Sequence, residues 1–227
     1  MLYSPRTLPW HTRHFRGLIY AACGLSIIGV GISCVWDAPN WSAALIAARQ
    51  LYGLWALGLL IGTMTIGPLL AVFPRIPLKS QLAMGRRALG ICSSIFALFH
   101  TACYLVPTLL KNWRLLYQPG AFWIVGLVFG LVAAAIMLAL AVTSRDRVVV
   151  SMTPKRWKKL HRTIYILLPL TIIHSVFVGS DFGVNHAPDV STEPDMGALI
   201  GFSVVSAAWL ILFVLRLKKK SFGHRTG

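Results

Sequence analysis

Apolar residues run along this chain in long, nearly unbroken stretches. They do not alternate as in a strand, nor do they form the single stripe of an amphipathic helix. Six stretches stand out, at approximately 15–36, 50–73, 86–107, 121–143, 158–179 and 197–217. Each reaches the roughly 20 residues a helix needs to cross about 30 Å of hydrocarbon. The linkers between them are short, which leaves no room for a soluble cofactor-binding module. The predicted class is therefore all-α: a six-helix transmembrane bundle, with residues 1–227 forming a single integral membrane domain embedded in lipid.

Composition agrees with this pattern. The 227 residues are 56% hydrophobic and 12% charged, where a soluble domain has roughly 25% charged residues. So few charges could not cover a soluble surface. Disorder is excluded as well, since it needs low hydrophobicity and high charge. Arg6 and Arg13 precede the first stretch and Arg16 lies at its start, as basic residues would in a secretory leader. That stretch is longer than a secretory core and lacks a small-residue cleavage site, so a retained helix is expected.

The formal charge of +16 matters through its distribution. Basic residues gather in the N-terminal tail (Arg6, Arg13, Arg16) and around the linker before the third stretch (Arg75, Lys79, Arg86, Arg87). A third group comprises Arg145, Arg147, Lys155, Arg156, Lys158, Lys159 and Arg162, and a fourth Arg216, Lys218, Lys219, Lys220 and Arg225. Only Arg49, Lys111 and Arg114 fall on the other side, together with Asp37, Asp181, Asp189, Glu193 and Asp195. The positive-inside rule then predicts a multi-pass inner-membrane protein with both termini in the cytoplasm. Nucleic acid is excluded as a partner, because no continuous basic face can form across membrane spans. The linker 180–196 is acidic and lies on the outer side. It is expected to be a solvated loop, with a docking surface for an outer partner as the rival.

Four cysteines (Cys23, Cys34, Cys92, Cys103) lie in or beside apolar stretches without a CxxC spacing, as small core residues do. The pairs Gly58/Gly62 and Gly126/Gly130 have the spacing that lets helices pack closely, and a flat cofactor also needs small neighbours. Trp10, Trp36, Trp41, Trp113, Trp123 and Trp157 lie near predicted interfaces, as in an aromatic belt. Gly24, Gly29 and Gly31 sit inside an apolar span with no preceding strand, so they form no dinucleotide fingerprint.

Histidines carry the candidate chemistry. His11, His14, His186 and His224 fall in predicted tails or loops. His100, His161 and His174 fall within spans three and five, where an ionisable residue is a functional candidate by default. At 1.5 Å per residue, His100 lies about 21 Å along its helix from Arg86. His174 lies about 25 Å along the parallel fifth helix from Trp157. Both fall in the outer half of the bilayer at similar depth. His161 lies at the cytoplasmic interface, level with Arg86 and Arg87. On an ideal helix His161 and His174 stand about 140° apart, with Pro169 between them as a source of a kink.

Two imidazoles from different helices at one depth suit axial ligation of haem iron, with haem between helices three and five. The spans contain no carboxylate, which argues against a hard-metal or di-iron site. Two independently satisfied core histidines are the structural alternative. A haem-free transporter is a further one.

The run Gly85-Arg86-Arg87-Ala88-Leu89-Gly90, with Phe99-His100 and Tyr104, resembles the third helix of the ferric reductase-like transmembrane superfamily. So does Thr143-Ser144, followed by the stretch Lys155 to Arg162, Tyr165 and His174. Gly53 to Leu57 and Gly67-Pro68-Leu69 fit the same pattern, and the resemblance covers roughly residues 50–179. It is greatest to the branch that serves as the haem-binding membrane subunit of the periplasmic methionine sulfoxide reductase system. The resemblance implies that His100 and His174 ligate the iron of an outer haem b. His161 is a candidate ligand for a second, inner haem. Members often carry two histidines on each of helices three and five, but here the position a haem-spacing before His100 is Arg86 or Arg87. Beside those arginines His161 could instead meet a quinone or flavin (FMN) head group. Arg86 and Arg87 could hold a haem propionate or serve as topology anchors. The donor implied is a quinol or a cytoplasmic flavin reductase, and the acceptor a periplasmic, molybdenum-containing redox partner. A transmembrane reductase acting directly on ferric iron or oxygen is the alternative within the same superfamily.

Overall fold

The computed structural model describes residues 10–111, 121–178 and part of 199–217. Regular structure among them is helical: α1 (Trp10–Asp37), α2 (Trp41–Val72), α3 (Lys79–Lys111), α4 (Ala121–Thr143), α5 (Asp146–Ser151), α6 (Pro154–His161) and α7 (Ile164–Val178). Five stretches are long and apolar enough to cross a membrane: His14–Asp37, Trp41–Val72, Lys79–Leu110, Ala121–Thr143 and Pro154–Val178. The chain is a multi-pass membrane protein. The sixth predicted span falls in 197–217, where the described positions are helical. The acidic linker 180–196, with His186, lies outside the described residues, as do Trp113 and His224.

Two boundaries differ from expectation in ways that matter. The second helix was expected from residue 50 and starts at Trp41. Asn40 caps it, its side chain accepting from the Ala43 N–H at 2.9 Å. That cap satisfies a backbone donor that the helix cannot, and the alanine-rich turns behind it favour helix. The consequence is that Arg49 lies inside a helix and not in an outer loop.

The fifth span is broken. α6 stops at His161 and α7 begins at Ile164. Across the joint, Tyr165 and Ile166 bond back three residues to the Arg162 and Thr163 carbonyls at 3.1 and 2.9 Å. The Thr163 hydroxyl takes the Leu160 carbonyl at 2.7 Å, a local bond that competes with the helix ladder. An ideal-helix angle between His161 and His174 therefore does not describe this chain. The break precedes Pro169, which sits within α7.

Packing follows two pairings. α2 lies chiefly against α3, and α4 chiefly against α7, while α1 covers α2 and α3. One core gathers Leu60, Ile61 and Met64 of α2 with Ala133, Met137 and Leu140 of α4 and Leu167 and Leu168 of α7. A second gathers Cys23 and Cys34 of α1 with Ala48, Tyr52 and Ala56 of α2 and Cys92 and Phe96 of α3. The cysteines are free thiols in or beside this second core. Hydroxyls join the helices: Ser93 donates to the Ala56 carbonyl at 2.7 Å, Ser94 to Met137 at 3.2 Å and Tyr52 to Ile27 at 3.0 Å. In lipid such bonds and close packing hold helices together, since burial of apolar surface drives little there.

Candidate functional site

The two helix pairs meet at two histidines. His100 of α3 and His174 of α7 have ring centres 5.9 Å apart, with perpendicular planes. Each ring is tied to the backbone of its neighbouring helix. His100 Nδ1 lies 2.8 Å from the Arg49 carbonyl of α2. His174 Nδ1 lies 2.8 Å from the Gly126 carbonyl of α4. A carbonyl only accepts, so both Nδ1 atoms carry the hydrogen and both Nε2 atoms keep a lone pair. This is how metal-binding imidazoles are commonly held: the second nitrogen donates to a carbonyl, which fixes tautomer and orientation.

Missing side chains make the approach feasible. A Cβ at Gly53 would stand 2.8 Å from His100 Nδ1, and one at Gly130 would stand 2.5 Å from His174 Nδ1. Real Cβ atoms do not come so close, so each imidazole occupies space that only glycine leaves open. The pair Gly126/Gly130 thus serves the histidine, one residue by its carbonyl and the other by its lack of a side chain. Gly58 and Gly62 differ, with nothing within 4 Å of a Cβ at either. Close packing is not their role among the described residues.

The donor set suits a metal that accepts two imidazoles. The two rings stand within reach of one another, with centres 5.9 Å apart. The surroundings are apolar, and α2, α3, α4 and α7 contain no carboxylate. Haem iron, which takes imidazole nitrogens as ligands, would fit that chemistry, with His100 and His174 as the residues to hold it.

Arg49 is the charged residue whose own backbone carbonyl holds His100. Its charge acts on both His100 and His174, and its guanidinium lies 5.5 Å from the centre of the Tyr104 ring. Tyr104 in turn packs edge-on against Trp123, with centres 6.0 Å apart. A basic residue just inside an apolar run was the signal available in the sequence. The helix start at Trp41 was needed to use it.

The other candidates form a second group. His161 stacks on Trp157, with ring centres 4.0 Å apart. It lies within electrostatic reach of Arg86 and Arg87. Its Nε2 is buried without a hydrogen-bond partner among the described residues. Arg86 Nε donates to the Thr63 carbonyl at 3.1 Å, so this arginine also ties α3 to α2. Trp157 and Trp123 are half-buried ring partners, whereas Trp36 and Trp41 are exposed at 85% and 63% as belt residues should be.

Comparison with known proteins places this architecture. Residues 39–172 match the family described as ferric reductase like transmembrane component, and the chain belongs to that family. Within it, the chain is 31% identical over 177 residues to the protein-methionine-sulfoxide reductase heme-binding subunit MsrQ of Pectobacterium atrosepticum, covering 75% of each chain. It is 28% identical to MsrQ of Caulobacter vibrioides over 70% of this chain and 72% of that one. It is also 27% identical over 192 residues to the magnetosome protein MamZ of Paramagnetospirillum magneticum, but covers only 27% of that longer protein. No solved structure matches the chain.

Proposed function

We propose that this chain is a b-type cytochrome of the inner membrane, the haem-carrying subunit of an electron-transfer system. The bundle has six spans in a single domain, with both termini in the cytoplasm. Electrons enter from a quinol or a cytoplasmic flavin reductase and leave to a periplasmic acceptor. The acceptor is a methionine sulfoxide reductase catalytic subunit, a molybdenum-containing enzyme. The MsrQ relatives, which cover most of this chain, support that partnership.

One observation carries the proposal: His100 and His174 converge from separate helix pairs with both Nδ1 atoms bonded to carbonyls. Bound haem supplies a one-electron couple, tuned by its ligands and its burial. The chain supplies the rest. His100 and His174 would hold the iron through Nε2. The Arg49 and Gly126 carbonyls hold those rings in one orientation and make them better donors. Gly53 and Gly130 leave room for the rings. The apolar faces around them exclude water.

His161, Arg86 and Arg87 form the electron-entry side. An unpaired buried imidazole nitrogen beside two cations suits a quinone or FMN head group. The same nitrogen also suits a second haem. Haem quantification separates these two occupants.

The test is a reduced-minus-oxidised spectrum of the detergent-purified chain, with haem counted per chain. A b-type spectrum that is lost in His100→Ala and in His174→Ala but kept in His161→Ala supports the outer site. Two haems per chain would make His161 a ligand. A folded, colourless preparation would overturn the electron-transfer reading and leave a haem-free transporter.

A further inference from the structure

Beside the His100–His174 pair stands a group made almost wholly of hydrogen-bond donors. The Arg49 guanidinium lies 5.5 Å from the Tyr104 ring centre, and Tyr104 contacts Trp123 at 6.0 Å. The Tyr104 hydroxyl and the Trp123 indole N–H are both buried, and neither has a hydrogen-bond partner among the described residues. Arginine and the indole nitrogen can only donate. A buried donor without an acceptor costs about 1–3 kcal/mol, so these two donors, linked to the guanidinium through the Tyr104 ring, call for an acceptor. The same turn of α2 fixes the group to the metal-binding pair, because the Arg49 carbonyl receives His100.

Charge selects the acceptor. Arg49 brings one positive charge into a region where α2, α3, α4 and α7 have no carboxylate. A single negative charge balances it, whereas a phosphate carries about −1.5 to −2 at neutral pH. A planar carboxylate also matches the two parallel donors of a guanidinium.

We propose that Arg49, Tyr104 and Trp123 form a carboxylate-binding site next to His100 and His174. The carboxylate has two chemical sources. One is a propionate of the porphyrin itself, which rests on the haem reading above. The other is a small soluble carboxylate reaching the site from the outer side. In the first case Arg49 is a residue that would position the macrocycle beside His100 and His174.

The experiment compares iron protoporphyrin IX with its dimethyl ester in the full-length chain. Release to apomyoglobin is followed for wild type, Arg49→Gln, Arg49→Lys and Tyr104→Phe. The propionate source predicts that wild type loses the ester at least about tenfold faster than the diacid, the order expected for a charged hydrogen bond. Arg49→Gln should lose both at one fast rate while keeping a two-histidine spectrum. Arg49→Lys should discriminate weakly, having the charge without the fork, and Tyr104→Phe should lose part of the discrimination. Equal release of both porphyrins from wild type, with a spectrum that responds to added propanoate in wild type only, assigns the site to a soluble carboxylate. Equal release with no response to propanoate overturns the site. If neither porphyrin binds, the haem reading fails by itself. The site then stands if propanoate raises the melting temperature of wild type but not of Arg49→Gln, and falls if it does not.

Discussion

His174 lies against Gly130 so closely that a Cβ on that glycine would stand 2.5 Å from Nδ1 and 2.6 Å from Cε1. The ring cannot retreat freely, because Nδ1 is held at 2.8 Å by the Gly126 carbonyl one helical turn away. One turn of α4 therefore fixes both the position and the tautomer of the imidazole.

Gly130→Ala should displace the ring. Forcing a methyl into a packed site costs about 1–3 kcal/mol, and here the strain falls on the proposed ligand. Haem per chain should drop several-fold, with the spectrum altered in what remains. Gly58→Ala is the control: a methyl there meets nothing within 4 Å, and alanine gains up to about 1 kcal/mol of helix propensity over glycine. Haem content of that variant should be unchanged and its melting temperature equal or higher.

Gly53→Ala should act on the other ring in the same way. Its Cβ would meet His100 Nδ1 at 2.8 Å and Cε1 at 3.1 Å. The effect should be a loss of haem smaller than that of Gly130→Ala, since the intrusion is shallower. Equal haem content in Gly53→Ala and wild type would show that the His100 ring does not ligate in this pose.

Ser93→Ala tests the packing of α3 on α2. The hydroxyl is fully buried and bonds the Ala56 carbonyl at 2.7 Å. Measured interhelical bonds in membranes average about 0.6 kcal/mol, so the loss of stability should be of that order. Unfolding in mixed micelles would measure it, and a cost several times larger would mean that the hydroxyl does more than link two helices.

Arg86→Gln and His161→Ala should separate the inner group from the outer pair. Neither residue contributes to the contacts that hold His100 and His174, so the outer spectrum should survive both changes. Reduction by a quinol or by a flavin reductase should slow at least about tenfold, the effect of losing one charged hydrogen bond. Unchanged reduction kinetics in both variants would remove the inner group from electron entry.

Orientation is open to a direct assay. With both termini in the cytoplasm, as proposed, a fluorescent-protein fusion at the C-terminus should fluoresce and an alkaline phosphatase fusion should be inactive, the outcome that the positive-inside distribution of basic residues predicts. The reverse pattern would invert the proposed direction of electron flow.

Much of this protein was legible in the order of its residues. Apolar runs of about 20 residues leave helices as the practical way to cross lipid, because every backbone group must bond within its own segment. The family motifs and the three histidines within the spans could be found the same way. Helical rise placed His100 and His174 at one depth, and their rings do meet. Rise per residue fixes depth whatever the helix neighbours are, so this much needed no tertiary information.

Azimuth, partners and breaks were not legible, because they depend on which helices pack together. The interruption at Arg162–Thr163 comes with local backbone and side-chain bonding that hydropathy does not register. The roles of Gly126 and Gly130 depended on α7 lying against α4. Arg49 precedes the apolar run expected from residue 50, and only the start of α2 at Trp41, capped by Asn40, places it inside a helix beside the histidines. Composition determined that this chain lives in a membrane and where along its helices chemistry could sit. The tertiary structure decided which backbone carbonyls hold the two imidazoles and which donors surround them, since those contacts join residues 48 and 51 positions apart.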